Sequence, residues 1–389
     1  GKTSGLLTQY IEKVFRDTEH HILILSFTNR AVDEICLNLK KHSIPFIRTG
    51  QSETIKQELL EHLIAEQDFD EIEKIIKSNR IWVATVQSCN AWLNDMLNIV
   101  KIDELVIDEA SQIIENNILG IITKVGKTIL IGDQNQLPPI TLQTKETFKF
   151  QNQQLKSLSY DYYNKSMMER LFQVCETRGW NHSITMLNEH YRMHNQIASL
   201  VQEYYADALI PKLPLQLQDL VPQGNILVDS RLVWIEFPVS EHLYYDSLQV
   251  QYIIQILKVF KQYGIIQNYD KDVGIVTPFR AMIQAIYKEL PTDLRAITID
   301  TVERFQGSER KNIIISLPLH HANDLSLTEA LSSDGKVDRK LNVAITRAQE
   351  RLIILGCSKL CQKSRHYNNL LHKIQSSGTM LNYQELFKL

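Results

Sequence analysis

The chain has 389 residues, 44% of them hydrophobic and 22% charged, with 42 Lys+Arg against 45 Asp+Glu and a formal net charge of −3. Apolar content of this order excludes an intrinsically disordered chain, and no apolar run reaches the ~18–20 residues of a membrane helix. The charge balance excludes a uniformly basic exterior, though not a local basic groove. Five scattered cysteines (Cys36, Cys89, Cys175, Cys357 and Cys361) do not form a disulfide framework. They point to a reducing, intracellular compartment, cytoplasmic or nuclear. At about 100–200 residues per domain, two or three domains are expected.

Short β-branched runs alternate with helical patterns. Strands are predicted at Ile22–Phe27, Pro45–Thr49, Ile81–Thr85, Glu104–Asp108 and Thr128–Gly132, with helices at Gly5–Arg16, Ala31–Lys40 and Asn90–Asn98 between them. A second series follows: strands at Ser183–Leu187, Leu232–Phe237, Val273–Thr277, Ile297–Thr301, Asn312–Leu317 and Leu352–Gly356. Helices near Gln249–Gln262, Arg280–Glu289 and Lys340–Arg347 are interleaved with it. This alternation predicts an α/β fold in two blocks, 1–181 and 182–389, each a parallel sheet flanked by helices. Two segments look inserted. Residues 53–80 have helical spacing and read either as a hairpin capping the first block or as an ordinary pair of surface helices. Residues 143–165 are polar and aperiodic, as in a flexible excursion.

Three segments carry phosphate chemistry. Gly1-Lys2-Thr3 matches the tail of G-x-x-x-x-G-K-[ST], in which backbone N–H groups cradle phosphates, the Lys meets the β- and γ-phosphates and the hydroxyl binds Mg²⁺. An apolar strand ending in Asp108-Glu109 brings two carboxylates to the C-terminal edge of a sheet, where α/β proteins bind ligands. Asp108 suits Mg²⁺, and Glu109 suits the deprotonation of an attacking water. A third apolar strand runs into Gly132-Asp133-Gln134-Asn135-Gln136-Leu137-Pro138-Pro139, where Gln136 suits a γ-phosphate. Taken singly, these read equally as two solvated acids and a plain turn.

In order along the chain, these segments resemble the motifs of superfamily 1 helicases, in the up-frameshift/senataxin-like branch. The likeness extends through Thr28-Asn29-Arg30-Ala31-Val32-Asp33, Asp108-Glu109-Ala110-Ser111-Gln112, His190-Tyr191-Arg192-Met193-His194 and Val276-Thr277-Pro278-Phe279-Arg280. It continues in Asp300-Thr301-Val302-Glu303-Arg304-Phe305-Gln306-Gly307-Ser308-Glu309 and Leu341-Asn342-Val343-Ala344-Ile345-Thr346-Arg347-Ala348. The resemblance implies two RecA-like P-loop NTPase domains that hydrolyse ATP with Mg²⁺ and move on single-stranded RNA or DNA, 5′→3′. It implies that Gly1, Lys2, Thr3, Gln136, Arg192, Glu309 and Arg347 bind the nucleotide, with Thr3 and Asp108 on the metal. Lys2, Asp108, Glu109, Gln136, Arg192 and Arg347 form the expected catalytic set. Arg192 and Arg347 are the family's arginines at the γ-phosphate; without the other motifs, they read as a surface arginine and a helix-end dipole partner. Asn29, Thr85, Thr277, Pro278, Thr301 and Gln306 fall at nucleic-acid-facing positions, although each type alone is more often a turn or cap residue. An ATP-gated clamp that remodels ribonucleoprotein without unwinding would share these residues. A pseudo-ATPase would not be expected to keep them all.

Asn135, His190, Asn195 and Gln349 depart from the commonest motif residues without removing a catalytic group. His190 and His194 are better explained by their motif than by a metal site. Position 1 falls inside the phosphate loop, so the sequence is expected to be a piece of a longer protein that supplies the rest of that loop. The piece itself is expected to lack full activity.

Overall fold

The apolar runs of the first half form strands β1 (Ile22–Ser26), β2 (Ile47–Arg48), β3 (Ile81–Thr85), β4 (Glu104–Ile107) and β5 (Lys127–Leu130) in the computed structural model, which describes residues 2–140, 152–160 and 165–386, with residues 2–4 as backbone. They form one sheet in the order β2-β3-β1-β4-β5, every pair parallel. Successive side chains go to opposite faces, as the pleat requires. Leu23 and Leu25 of β1, Trp82 and Ala84 of β3, and Leu105 and Ile107 of β4 enter one core, while Ile22, Ile24, Ile81, Val83 and Val106 enter the other. Helices cover both faces. Asn29–Lys41, capped by the Thr28 hydroxyl on Ala31 N–H (3.2 Å), buries Val32, Ile35, Cys36 and Leu39 at helical spacing. Val86–Leu97 lies on the opposite face through Val86, Cys89, Leu93 and Met96.

The insert at 53–80 folds into two helices, Leu60–Leu63 and Phe69–Ser78, which set Leu60, Leu63, Ile72, Ile75 and Ile76 against the core. Of the insert expected at 143–165, residues 143–151 and 161–164 lie outside the described residues, and a short helix spans Gln153–Ser157.

In the second half, β6 (Glu189–His190) pairs in parallel with β7 (Ile210–Pro211). The main sheet comprises β8 (Leu232–Glu236), β9 (Val273–Val276), β10 (Thr298–Asp300), β11 (Arg310–Ser316), β12 (Ala348–Gly356) and β13 (Thr379–Asn382). Its order is β10-β9-β11-β12-β8-β13, again all parallel. Leu232, Trp234, Ile313, Ile315, Leu352 and Ile354 face one core and Val233, Ile235, Ile314, Ile353 and Leu355 the other.

The strand expected at Ser183–Leu187 does not form. A 3-10 turn at Asn181–Ser183 leads into irregular chain, and Met186 and Leu187 are exposed, with no sheet face to bury them. The chain divides into two compact units, Gly1–Gln134 with Pro138–Leu187, and Asn135–Leu137 with Asn188–Leu389. Among the described residues, no helix is long and apolar enough to cross a membrane.

Candidate functional site

In the first unit, the C-terminal edge of the sheet gathers the carboxylates. Asp108 follows β4 directly, is 1% exposed, and donates its N–H to the Leu25 carbonyl at 2.8 Å. Its Oδ1 accepts the Glu109 N–H at 3.0 Å. Glu109 sits in the left-handed region (φ 54°, ψ 37°), a conformation that costs a non-glycine residue about 1–3 kcal/mol. Its Oε2 accepts the Gln112 amide at 2.9 Å. Ala110 N–H then donates to the Ile131 carbonyl at 2.9 Å, tying this loop to the one that follows β5. A buried bidentate pair, Arg170 Nε and Nη2 on Glu115 at 2.7 and 2.6 Å, anchors the far end of the turn to helix Met167–Arg178.

Gly132 belongs to the second of these loops. A Cβ there would stand 2.5 Å from the Met168 sulfur and 3.0 Å from the Ser111 backbone nitrogen. The thioether can swing away, but the amide cannot. Gly132→Ala is therefore expected to lower stability by about 1–3 kcal/mol, read as a drop in Tm. An unchanged Tm would show that the loop has more room than this packing allows.

The second unit carries its own cluster. Arg192 pairs with the Glu309 carboxylate and donates from Nη1 to the Thr346 carbonyl at 3.3 Å. Gln349 Nε2 donates to the other Glu309 oxygen at 2.8 Å. Burial alone would raise the Glu309 carboxyl; the Arg192 guanidinium, then Arg347 and the Gln349 amide, outweigh it and hold the group below its ordinary value. Arg347 is 1% exposed, and its guanidinium donates to the Val343 and Ser308 carbonyls and the Thr346 hydroxyl, each at 3.1 Å. Gln349 is the member that sequence reasoning passed over, having been noted only as a departure from Arg.

His194, which flanks Arg192, caps helix Asn195–Ser199 by accepting Gln196 N–H at 3.1 Å. Its own N–H donates to the Gln349 carbonyl at 2.7 Å. Burial, with Arg231 nearby, pushes its imidazole down to about 4, so it remains a neutral acceptor at physiological pH. His190 Nδ1 accepts the buried Gln216 amide at 3.0 Å. Each histidine thus has its Nδ1 in a hydrogen bond, while its buried Nε2 has no partner. Gln136 lies in the segment Asn135–Leu137, which groups with this second unit. There Asn135 Nδ2 donates to the Tyr204 carbonyl at 2.6 Å, Asn342 Nδ2 donates to the Asn135 carbonyl at 2.7 Å, and Leu137 joins the core.

Of the expected nucleic-acid-facing residues, Asn29, Thr85, Thr277, Pro278 and Thr301 lie at C-terminal strand ends, whereas Gln306 ends helix Val302–Phe305 and precedes β11. Asn29 is exposed and opens the helix after β1. Thr85 ends β3, but its hydroxyl accepts Ser88 N–H at 3.1 Å as a helix cap, so that oxygen already has a donor. Thr277 follows β9, donates its N–H to Asp300 at 3.2 Å, and keeps a buried hydroxyl with no partner. Pro278 follows it, half-buried. Thr301 N–H donates to Asp300 Oδ1 at 2.8 Å, and the buried Nε2 of Gln306 has no partner. Arg48 was not anticipated: it is 0% exposed and bonds to Asn29 and Asp33. The signal was present, because a charged residue in a strand read as buried must have partners.

Gly1 lies outside the described residues and the side chains of Lys2 and Thr3 outside the described side chains, so their expected phosphate and metal contacts do too. The chain backbone from Lys2 is helical, as a π turn Lys2–Leu7 running into helix Thr8–Asp17. For a magnesium ion, the described donor set is one strand-end carboxylate, Asp108; no cluster of three or more His, Cys, Asp or Glu that could hold a metal occurs among the described residues. That fits an ion held chiefly by water and substrate phosphates. The Cys36 and Cys89 thiols, pushed to about 12 by burial, stay protonated and supply no nucleophile.

Two family profiles, each described as an AAA domain, match residues 56–144 and 163–359, the second alone covering just over half the chain. The chain is 26% identical to the DNA replication ATP-dependent helicase/nuclease DNA2 of Gallus gallus, over 98% of its own length and 36% of that protein's. It is 26% identical to the uncharacterized ATP-dependent helicase MJ0104 of Methanocaldococcus jannaschii, over 78% of this chain and 43% of that one. It therefore spans less than half the length of either relative. Among solved structures, the arterivirus nonstructural protein 10 helicase aligns with a TM-score of 0.48 at 13% identity, over 95% of this chain and 60% of its own. By its profiles and ordered motifs, the chain belongs to the AAA-domain helicases of superfamily 1, in the branch of the up-frameshift and DNA2-like proteins.

Proposed function

We propose that the chain is the motor of an ATP-dependent translocase on single-stranded nucleic acid, moving 5′→3′ and separating strands. The observation that carries this is the strand-end pair Asp108-Glu109, whose second carboxylate is held in a left-handed backbone beside the Gly132 loop. Glu109 takes a proton from water as its oxygen attacks the γ-phosphorus; the bond to the β–γ bridging oxygen breaks, giving ADP and phosphate. Lys2 and Gln136 contact the γ-phosphate. Arg192 meets the charge on the transferring phosphoryl group, exchanging the Glu309 carboxylate for phosphate oxygens. Arg347, the family's other γ-phosphate arginine, also holds Thr346 and Ser308 in place around Arg192 and Glu309. Thr3 and Asp108 would hold a magnesium ion, which supplies neutralising charge on the β- and γ-oxygens.

Strand contact is assigned to Asn29, Thr85, Thr277, Pro278, Thr301 and Gln306. The unpartnered Thr277 hydroxyl and Gln306 amide favour this, since buried polar atoms without partners are uncommon, and Thr277 follows the C-terminal end of β9, an edge suited to a ligand. The name of the chicken relative, a DNA replication helicase, favours DNA over RNA.

The test is ATP hydrolysis by the whole protein with and without single-stranded DNA or RNA, beside displacement of duplexes bearing a 5′ or a 3′ tail. Stimulation by the strand, with displacement from the 5′ tail, is expected. Hydrolysis without displacement would replace the translocase with a nucleotide-gated clamp; hydrolysis indifferent to either nucleic acid would overturn both.

A further inference from the structure

Arg48 occupies a two-residue strand at the edge of the first sheet, and its side chain is 0% exposed. A buried guanidinium must have its N–H groups matched, and here four acceptors meet it. Nε donates to Asp33 Oδ1 at 3.2 Å, Nη2 to Asn29 Oδ1 at 3.0 Å and to the Gln51 carbonyl at 2.8 Å, and Nη1 to the Thr49 carbonyl. The other Asp33 oxygen accepts the Ser52 and Thr54 hydroxyls, both at 3.0 Å. One side chain thus ties the loop after β1 to the loop after β2.

We propose that Arg48 is a positioning residue of the nucleic-acid edge, fixing the Asn29 amide with its oxygen inward and its NH2 group outward. This rests on the strand-contact reading of Asn29 given above. A guanidinium offers donors only, so the amide must turn its single acceptor toward it; the reversed amide would set donor against donor. Asn29 is otherwise exposed, so what it offers outward is a pair of neutral N–H donors, the chemistry that a phosphate oxygen accepts. Arg48 cannot reach a phosphate itself, being enclosed. Its positive charge is balanced by Asp33 and does not contribute a counterion-releasing contact. A sequence-tolerant strand contact would in this way be set by a charge that never touches the strand.

The experiment measures binding of a fluorescent oligo-dT strand to the whole protein across a salt series. Asn29→Ala should weaken binding roughly tenfold, the loss of a hydrogen bond to a charged group. Arg48→Gln should weaken it by a similar factor while leaving the slope of log affinity against log salt unchanged. The double variant should bind no more weakly than Asn29→Ala alone, because Arg48 acts through Asn29. Losses that multiply in the double variant, or a slope shallower by about 0.7 in Arg48→Gln, as expected for one lost phosphate contact, would overturn the proposal. If Arg48→Gln does not fold, Asn29→Asp decides. Its carboxylate keeps an oxygen for Arg48 and turns the other outward in place of the NH2, so a folded variant should bind more weakly than Asn29→Ala. Wild-type affinity in either Asn29 variant would overturn the Asn29 contact and the positioning role with it, while leaving nucleic-acid binding by the protein standing. A wild-type protein that does not bind the strand would overturn the nucleic-acid reading with it.

Discussion

Glu109→Gln is expected to reduce nucleic-acid-stimulated ATP hydrolysis by about 10²–10⁴-fold while ATP still binds. The substitution preserves nearly everything around the site. Glutamine has the same length, its carbonyl oxygen can accept the Gln112 amide as Glu109 Oε2 does at 2.9 Å, and the left-handed backbone demands no more of it than of glutamate. What disappears is the capacity to take a proton from water. Binding should survive, because the proposed phosphate contacts come from other residues. The measurement is single-turnover hydrolysis beside equilibrium binding of a fluorescent ATP analogue, both in the whole protein. Turnover within tenfold of wild type would remove Glu109 from the role of base; loss of nucleotide binding would show that the substitution disturbs the loop.

The second large effect is expected at Arg192. Arg192→Ala should lower kcat by about 10³–10⁵-fold, the range for arginines that stabilise a transferring phosphoryl group. This corresponds to roughly 4–7 kcal/mol of transition-state stabilisation. Arg192 is suited to this because its guanidinium is one-third exposed and its principal partner is a carboxylate, which phosphate oxygens can replace in kind. Arg347 differs, with its donors on two backbone carbonyls and a hydroxyl. Arg192→Lys keeps the charge but loses the planar fork, so little activity should return. A kcat for Arg192→Ala within tenfold of wild type, with folding intact, would move the role to another residue.

The strands and the carboxylate pair were legible in the sequence because each has a strong local cause. Ile22–Ser26, Ile81–Thr85 and Glu104–Ile107 are short apolar runs that a parallel sheet buries on both faces, and such runs are hard to place elsewhere. Ser183–Leu187 has the same local character and forms no strand, since strand pairing depends on a neighbour that no local window contains. β13 was missed for the converse reason: Thr379–Asn382 is half exposed and carries little apolar signal, yet the edge of β8 accepts it.

At the candidate site, the residue types were readable and their hydrogen-bond partners were not. Thr85 was assigned to the strand path, and its hydroxyl is a helix cap. Gln349 appeared only as a substitution for Arg, and it holds Glu309 from the side opposite Arg192. Arg48 and Asn29 stand 19 positions apart, and nothing in either segment announces that one orients the other. The last of these spans β2 and β1, which are not paired with each other but lie on either side of β3.

The backbone at Glu109 has a consequence for how this position can change over time. Folding alone would prefer glycine there, which enters the left-handed region without the roughly 1–3 kcal/mol that glutamate incurs. Only the proposed role as base favours the carboxylate over glycine in that backbone. Selection for a sturdier protein and selection for a working one therefore pull in opposite directions at a single residue. In a lineage without that role, the bond to the Gln112 amide would weigh on the side of the glutamate against the backbone relief that glycine brings.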